Sequence, residues 1–202
     1  MKICGITRVE DALLAAEAGA DYIGLILYPK SPRFVSPRAR REILRELRGV
    51  LRVAVLVNPS PEEAESVLEE GFDLIQLHGE EEYEIARRVG PEKVIKAFRV
   101  KDELPFIEGS WRKVHALLLD TYSPLSRGGT GRSFDWRIAR RTVEEGFRVI
   151  LSGGLTPENV AKAIRMVKPY GVDVSSGVEA RKGVKDPDRV RRFIRAVREC
   201  SI

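Results

Sequence analysis

Two side chains in the 202-residue sequence could transfer protons, because each adjoins an apolar segment. Cys4 lies in KICGI, and Asp120 follows three leucines at the end of HALLLD. A thiolate can act as a general base, and a carboxyl group whose pKa is raised by partial burial can act as a general acid. A buried, inert thiol and a helix-cap or turn carboxylate are the alternative interpretations, and the residue types alone leave them open.

Two glycine-rich segments late in the sequence could bind phosphate. SGGL contains Gly153 and Gly154, and SSGVE contains Gly177. Backbone amides in such segments can approach an anion closely, because glycine has no side chain. Either segment alone is equally typical of a tight turn. Both together, at the ends of the last two predicted strands, predict a phosphate site and a phosphorylated small-molecule ligand.

Three further segments carry polar residues of interest. In YPKSPRFVS, Arg33 could bind a carboxylate through two parallel hydrogen bonds, although a solvated pair of cations with Lys30 is an equally good interpretation. The only histidines, His78 and His115, lie on different apolar segments without further ligand residues, so we expect no catalytic metal. Residues 121–133 exceed the length that a connection needs and predict a mobile lid.

These residues need a scaffold, and the sequence alternates short apolar segments with stretches of helical spacing. Eight segments are of the strand type: KICGI, DYIGLIL, LRVAVLVN, DLIQLH, KVIKAF, VHALLLD, RVILSGG and VDVSSG. Strands joined through helices must be parallel, and runs with little alternation are typical of strands covered on both faces. Eight units favour a closed (β/α)8 barrel formed by residues 1–202 as a single domain, with an open doubly wound sheet as the alternative. Reactive residues then lie at the C-terminal ends of the strands.

Capping signals predict where the helices begin and end. Four helices are predicted to start where a capping residue precedes proline: Ser36-Pro37, Ser60-Pro61, Thr156-Pro157 and Asp186-Pro187. Two pairs have capping-box spacing: Thr7 with Glu10 and Ser60 with Glu63. Four glycines are predicted to end helices in the left-handed conformation: Gly19, Gly71, Gly146 and Gly171. The fifth helix has the weakest pattern, because KDELPFIEGSW contains Pro105.

Composition excludes several classes of protein. Hydrophobic residues make up 43% and charged residues 32%, no apolar run approaches membrane-spanning length, and the N-terminal segment lacks the features of a signal peptide. We expect a soluble, cytoplasmic protein without a membrane partner, in which Cys4 and Cys200 are free thiols. The net charge of +5 arises from 35 basic and 30 acidic residues that alternate along helical stretches, which favours a solvated surface over a nucleic-acid partner. The Arg- and Glu-rich composition, with one Gln and two Asn, is typical of thermophilic proteins.

The motifs together resemble those of the phosphoribosylanthranilate isomerase family of tryptophan biosynthesis. The resemblance spans nearly the whole chain: KICGITRVEDA, SPRFVSP, LIQLHG, LLLD followed by GGTGRSFDW, SGGLTPENV and DVSSGVE. Single pieces such as SGGL occur in many phosphate-binding barrels. KICGIT together with GGTGxxFDW is highly specific to this family.

This resemblance implies an Amadori rearrangement without a cofactor, in which N-(5'-phosphoribosyl)anthranilate becomes 1-(2-carboxyphenylamino)-1-deoxyribulose 5-phosphate. It implies that Cys4 removes a proton from the second ribose carbon, that Asp120 protonates the ring oxygen, and that Arg33 binds the anthranilate carboxylate. It assigns the phosphate to segments that contain Gly153, Gly154, Asp173, Ser175, Ser176 and Gly177. Asp173 is expected to orient a hydroxyl or an amide rather than to contact phosphate.

Two other classes of function stay open at this point. Another sugar-phosphate barrel enzyme, such as ribulose-phosphate 3-epimerase or indole-glycerol-phosphate synthase, would call for metal-binding residues or a lysine acid where this sequence has Cys4. A non-catalytic phosphosugar or nucleic-acid binder would show salt-dependent binding, against which the scattered charges argue. The sequence is compatible with either a monomer or a homodimer.

Overall fold

Eight parallel strands form a closed barrel in the computed structural model of the protein, which describes residues 1–103, 106–121 and 135–200. Each strand pairs with the next one along the chain, and the eighth pairs with the first. The strands are β1 (Lys2–Cys4), β2 (Tyr22–Ile26), β3 (Leu51–Leu56), β4 (Leu74–Leu77), β5 (Val94–Val100), β6 (Ala116–Thr121), β7 (Val149–Leu151) and β8 (Gly171–Val174). The predicted (β/α)8 barrel is confirmed, and the open sheet is excluded.

Helices cover the outside of the barrel. They are α1 (Val9–Ala18), α2 (Pro37–Glu46), α3 (Pro61–Glu69), α4 (Tyr83–Val89), α5 (Trp136–Glu144), α6 (Val160–Val167) and α7 (Pro187–Arg198). Between β5 and β6 the described residues contain only a 3-10 helix, Gly109–Lys113, where the helical pattern is weakest; Pro105 lies outside these residues. None of the described helices has the length and apolar character needed to cross a membrane.

A small hairpin follows the last barrel strand. A 3-10 helix, Ser176–Val178, leads into β9 (Glu179–Arg181) and β10 (Val184–Lys185), which pair antiparallel before α7 begins. The Thr7 hydroxyl donates a hydrogen bond to the Gly183 carbonyl at the tip of this hairpin. The hairpin is thereby attached to the connection between β1 and α1.

Cap geometry confirms three of the four predicted helix starts. Ser36, Ser60 and Asp186 each accept a backbone N–H with a side-chain oxygen and precede a proline, and the capping box of Ser60 with Glu63 is present. The start at Thr156 is wrong. The Thr156 hydroxyl accepts the Glu158 amide at 3.2 Å, but residues 157–159 form only a turn that leads into α6, which begins at Val160.

Two further capping predictions are wrong. Thr7 does not cap α1, because its hydroxyl bonds Gly183 and Arg8 occupies the N-cap position. Gly171 does not end α6, because it is already the first residue of β8, and Lys168 (φ 52°) takes the left-handed conformation instead. The other three glycines have positive φ as predicted: Gly19, Gly71 and Gly146.

Apolar side chains pack in two layers, one between strands and helices and one inside the barrel. The inner layer consists of seven buried residues from the first half or the middle of the strands: Val53, Leu74, Ile95, Ala97, Ala116, Leu118 and Ile150. Polar side chains occupy the interior above them. Lys2 and Cys4 point into this interior, whereas Ile6 packs in the outer layer because Gly5 (φ 69°) turns the chain between Cys4 and Ile6.

Ion pairs connect neighbouring helices at the surface, as the Arg- and Glu-rich composition suggests. Arg88 of α4 contacts Glu62 and Glu65 of α3 at 2.7 and 2.8 Å, and Arg192 of α7 contacts Glu158 at 2.7 Å. Exposed pairs of this kind are individually weak at 25 °C but gain importance at high temperature, because the cost of removing water from the charges falls.

Candidate active site

A cavity of about 680 Å³ opens at the C-terminal ends of the strands. All nine residues that the sequence and the family resemblance assign to catalysis or substrate binding line it: Cys4, Arg33, Asp120, Gly153, Gly154, Asp173, Ser175, Ser176 and Gly177. They come from β1, β6, β8 and three of the loops that follow strands. The barrel therefore brings together residues that are up to 173 positions apart in the sequence.

Cys4 is the last residue of β1 and is 6% exposed. The strand register places it beside Gly24 of β2, where a Cβ atom would lie only 2.8 Å from the Cys4 sulfur. Gly24 thus leaves room for the thiol. Burial raises the pKa of Cys4; the Lys2 ammonium opposes this shift, and the Asp173 carboxylate adds to it.

Asp120 lies near the end of β6 and faces His78, which follows β4. Its Oδ1 accepts the Thr121 amide at 2.8 Å, and its Oδ2 lies 3.5 Å from His78 Nε2. Gln76 Nε2 is 2.8 Å from His78 Nδ1, which orients the imidazole toward Asp120. Gln76 Oε1 and His78 Nε2 are buried and have no hydrogen-bond partner among the described residues, although both side chains line the cavity.

Sequence reasoning assigned no role to Gln76 and considered His78 only as a metal ligand. A signal was present in the segment DLIQLH. Because side chains alternate across a strand, Leu74, Gln76 and His78 share one face, and in a barrel of this kind that face is the interior. A polar pair on the interior face near a strand end is a site signal.

Arg33 extends from the loop between β2 and α2 and is 8% exposed at its side chain. Its Nε and Nη2 atoms donate to the two carboxylate oxygens of Glu179, both at 2.7 Å. Glu179 also accepts Lys185 Nζ at 3.2 Å and the Gly183 amide at 3.3 Å. Hydrogen bonding to Glu179 raises the pKa of Arg33, although burial opposes this. The guanidinium is a fixed cation in the cavity lining, and its Nε and Nη2 atoms are the ones that Glu179 binds.

Asp173 of β8 has both carboxylate oxygens engaged within the barrel. Oδ1 accepts Lys2 Nζ at 2.8 Å, and Oδ2 accepts the Ser152 hydroxyl at 2.9 Å. Burial acts to lower the pKa of Lys2, but the charge of Asp173 and contact with Cys4 outweigh it and raise that pKa above its ordinary value. Lys2 is therefore an ammonium and Asp173 its counter-ion.

The two glycine-rich segments form adjacent loops, which we call loop 7 (residues 152–159) and loop 8 (residues 175–178). Gly153 and Gly154 have φ of 84° and 69°, and their amides have no acceptor among the described residues. Asn159 fixes loop 7, because its Nδ2 donates to the Gly154 carbonyl at 2.9 Å. A Cβ atom on Gly177 would lie 1.9 Å from the Leu155 carbonyl oxygen, so the two loops are in backbone contact. Ser175 Oγ is buried and without a partner in the described part of the chain.

Cationic and apolar side chains complete the rim. Lys30 and Lys182 line the cavity, as do Ile26, Val55 and Val57. The predicted lid, residues 121–133, lies outside the described residues except for Thr121 at the end of β6.

The fold and this cavity define a (β/α)8-barrel enzyme with a thiol, a carboxyl group and a pair of glycine-rich loops around one site. A family model described as N-(5'-phosphoribosyl)anthranilate (PRA) isomerase matches residues 1–196. The N-(5'-phosphoribosyl)anthranilate isomerase of Aquifex aeolicus is 59% identical over 197 residues, which cover 96% of each chain. The chain belongs to the N-(5'-phosphoribosyl)anthranilate isomerase family.

Two solved structures are similar over nearly the whole chain. One is a monomeric form of the dimeric Thermotoga maritima enzyme, with a TM-score of 0.84, 41% identity, and coverage of 98% of this chain and 97% of that one. The other is a phosphoribosyl anthranilate isomerase in complex with reduced 1-(o-carboxyphenylamino)-1-deoxyribulose 5-phosphate, with a TM-score of 0.83 and 41% identity at the same coverage.

Proposed function

We propose that this cavity converts N-(5'-phosphoribosyl)anthranilate into 1-(2-carboxyphenylamino)-1-deoxyribulose 5-phosphate, with Cys4 as general base and Asp120 as general acid. The protein is an isomerase of tryptophan biosynthesis by its family membership. The observation that carries the assignment of roles is that Cys4 and Asp120, from β1 and β6, line the same cavity.

The proposed chemistry needs one proton donor and one proton acceptor. Asp120 protonates the ribose ring oxygen, the bond from that oxygen to the first carbon breaks, and the nitrogen lone pair forms an iminium. The iminium acidifies the hydrogen on the second carbon, which Cys4 removes. The electrons of that bond form an enolamine. It becomes the ketose when the first carbon gains a proton and the hydroxyl group on the second carbon loses one. Positioned proton transfers of this kind contribute about 10²- to 10⁴-fold each.

The anionic ends of the substrate are bound by different parts of the cavity in this proposal. Arg33 holds the anthranilate carboxylate through the guanidinium edge that Glu179 leaves available. Loops 7 and 8 bind the phosphate, mainly through the amides of Gly153 and Gly154 and their counterparts at Ser176 and Gly177. Asp173 stays an internal counter-ion, since both of its oxygens are already bonded.

The direct test is an assay in which the labile substrate is generated in the cuvette and the loss of anthranilate-type fluorescence is followed. Wild-type protein should accelerate this loss catalytically, whereas the Cys4→Ala and Asp120→Asn variants should not. Absence of turnover in the wild type, combined with salt-dependent DNA binding, would favour the non-catalytic alternative.

We also propose that the protein acts in the cytoplasm as a single-domain homodimer. The support for the dimer is the dimeric Thermotoga maritima relative, which is 41% identical. Analytical ultracentrifugation at micromolar concentration should give the mass of two chains, and a single-chain mass would contradict the proposal.

A further inference from the structure

Lys2 is a charged side chain inside the barrel with no solvent exposure. It lies two residues before Cys4 on β1, in register with Asp173 of β8, and its Nζ is 2.8 Å from Asp173 Oδ1. Replacing a buried ion pair by apolar side chains of the same volume is often neutral or stabilising, because both charges lose water in the interior. The pair therefore calls for an explanation other than stability.

Lys2 and Cys4 share the interior face of β1, as alternation along a strand requires. Gly24 of β2 shows how close they are. A Cβ atom at that position would lie 2.8 Å from the Cys4 sulfur and 3.2 Å from Lys2 Cε. Both side chains thus border the one small space that Gly24 leaves inside the barrel.

The charges around the thiol are not balanced. Three cations are close to it: Lys2 on β1, Lys185 on β10 and Arg33 from the loop after β2. Two carboxylates neutralise them in part, since Asp173 pairs with Lys2, while Glu179 pairs with both Arg33 and Lys185. Burial lowers the pKa of Lys185, and the Glu179 charge opposes that shift. With Lys185 protonated, one positive charge is in excess, and an anionic sulfur would balance it.

We propose that Lys2 is a positioning residue that acts through Cys4: its ammonium, fixed by Asp173, stabilises the thiolate that accepts the substrate proton. Lys2 keeps its own protons throughout. The thiol loses its proton to water before the reaction, and the thiolate then takes the hydrogen of the second ribose carbon. The inference rests on the proposed role of Cys4 as base, but it is tested by a property of Cys4 that needs no turnover.

The test measures the rate of alkylation of Cys4 by iodoacetamide as a function of pH in a Cys200→Ser background, where Cys4 is the only thiol. Lys2→Met should move the midpoint of this profile to higher pH by one unit or more, which is about a tenfold loss of reactivity at neutral pH. Lys2→Arg, which keeps the charge, should restore most of the wild-type profile. Asp173→Asn should move the midpoint in the opposite direction, because it removes a neighbouring anion.

The kinetic profile gives a second readout. A base must be deprotonated to act, so the rising limb of kcat/KM against pH should move to higher pH in Lys2→Met, in step with the alkylation midpoint. If Cys4→Ala retains wild-type turnover while Lys2→Met still shifts the alkylation midpoint, the base assignment is wrong and the effect of Lys2 on the thiol stands.

An unchanged alkylation midpoint in folded Lys2→Met, verified by circular dichroism, would overturn the proposal. Should Lys2→Met not fold because Asp173 is left unpaired, the same comparison is made in the Asp173→Asn background. There the Lys2→Met change must still raise the midpoint relative to Asp173→Asn alone, and equal midpoints would again overturn it.

Discussion

The guanidinium of Arg33 meets the carboxylate of Glu179 edge to edge, with two hydrogen bonds of 2.7 Å. This pair fixes the direction of the cation before any ligand arrives, so little side-chain freedom is lost when the opposite edge binds a carboxylate. Glu179 belongs to the hairpin that follows β8, whereas Arg33 follows β2. The pair therefore joins two parts of the barrel rim that are 146 residues apart in the sequence and have only β1 between their strands.

Arg33→Met is expected to raise KM by about 10- to 100-fold and to change kcat less, because a charge-assisted bidentate contact acts on the bound carboxylate in ground and transition states alike. Arg33→Lys is the matched control, because it keeps the charge but loses the planar guanidinium group. Its KM should lie between those of the wild type and Arg33→Met. Steady-state kinetics give both constants. An unchanged KM in Arg33→Met would remove Arg33 from carboxylate binding.

Cys4→Ala and Asp120→Asn should each lower kcat by at least about 100-fold, the usual scale for a positioned proton-transfer group. Cys4→Ser tests ionisation specifically, since a hydroxyl of similar size does not form an anion at neutral pH. Circular dichroism should show an intact fold in all three variants. Wild-type turnover in either of the first two would exclude that residue from the mechanism.

Phosphate binding is best tested at Ser176, because the loop glycines also serve the backbone itself. Ser176→Asp should weaken product binding by about 10-fold or more through repulsion of the phosphate charge, whereas Ser176→Ala keeps the amide and should bind nearly as the wild type does. Product titration measures both. Equal affinities in the two variants would place the phosphate elsewhere on the barrel.

Gly177→Ala should destabilise the fold by roughly 1–3 kcal/mol, because its methyl group would overlap the Leu155 carbonyl oxygen. Gly109→Ala is the control, since a Cβ atom there meets nothing within 4 Å. Thermal unfolding of both variants against the wild type gives the difference. Equal loss of stability in the two would mean that loops 7 and 8 are not in contact in solution.

His115 predicts a pH dependence of stability. Burial lowers the pKa of this imidazole, and the Arg148 charge adds to the effect. Protons then bind the unfolded chain more readily than the folded one, so stability contributed by His115 is present above its ordinary pKa of about 6.5 and is lost as the pH falls through the lowered value. In denaturant titrations, His115→Gln should lose less unfolding free energy from pH 7 to pH 5 than the wild type does. An equal loss in the two proteins would contradict this role of His115.

The barrel could be predicted from the sequence because its signals are local. Each strand is a short apolar run, and three of four cap-proline pairs begin helices as predicted. The capping predictions that were wrong have causes far away in the sequence. Thr7 and Gly183 are 176 residues apart, so no local pattern indicates the hydrogen bond that replaces the predicted capping box of Thr7 with Glu10.

In the candidate site, too, residues with local sequence signals could be predicted, whereas contacts between distant residues could not. Strand-end position, glycine content, the polar loop that contains Arg33 and the family resemblance together identified nine residues that line one cavity. The partners that determine their charge and orientation were not predicted: Glu179 for Arg33, Lys2 for Cys4, and the Gln76–His78 pair for Asp120. These contacts join different strands or rim loops, or run along a strand through the barrel interior. They depend on barrel register, which the sequence pattern leaves undetermined.

The contact between Gly177 and the Leu155 carbonyl has a consequence for engineering this scaffold. Loop 8 can approach loop 7 only where one backbone presents no side chain to the other, and Asn159 holds loop 7 in the matching shape. The two loops are therefore one transferable module. A chimera that takes β8 and loop 8 from another barrel, but keeps β7 and loop 7 of this one, should pack poorly where the two loops meet. Transferring both strands with their loops preserves the contact.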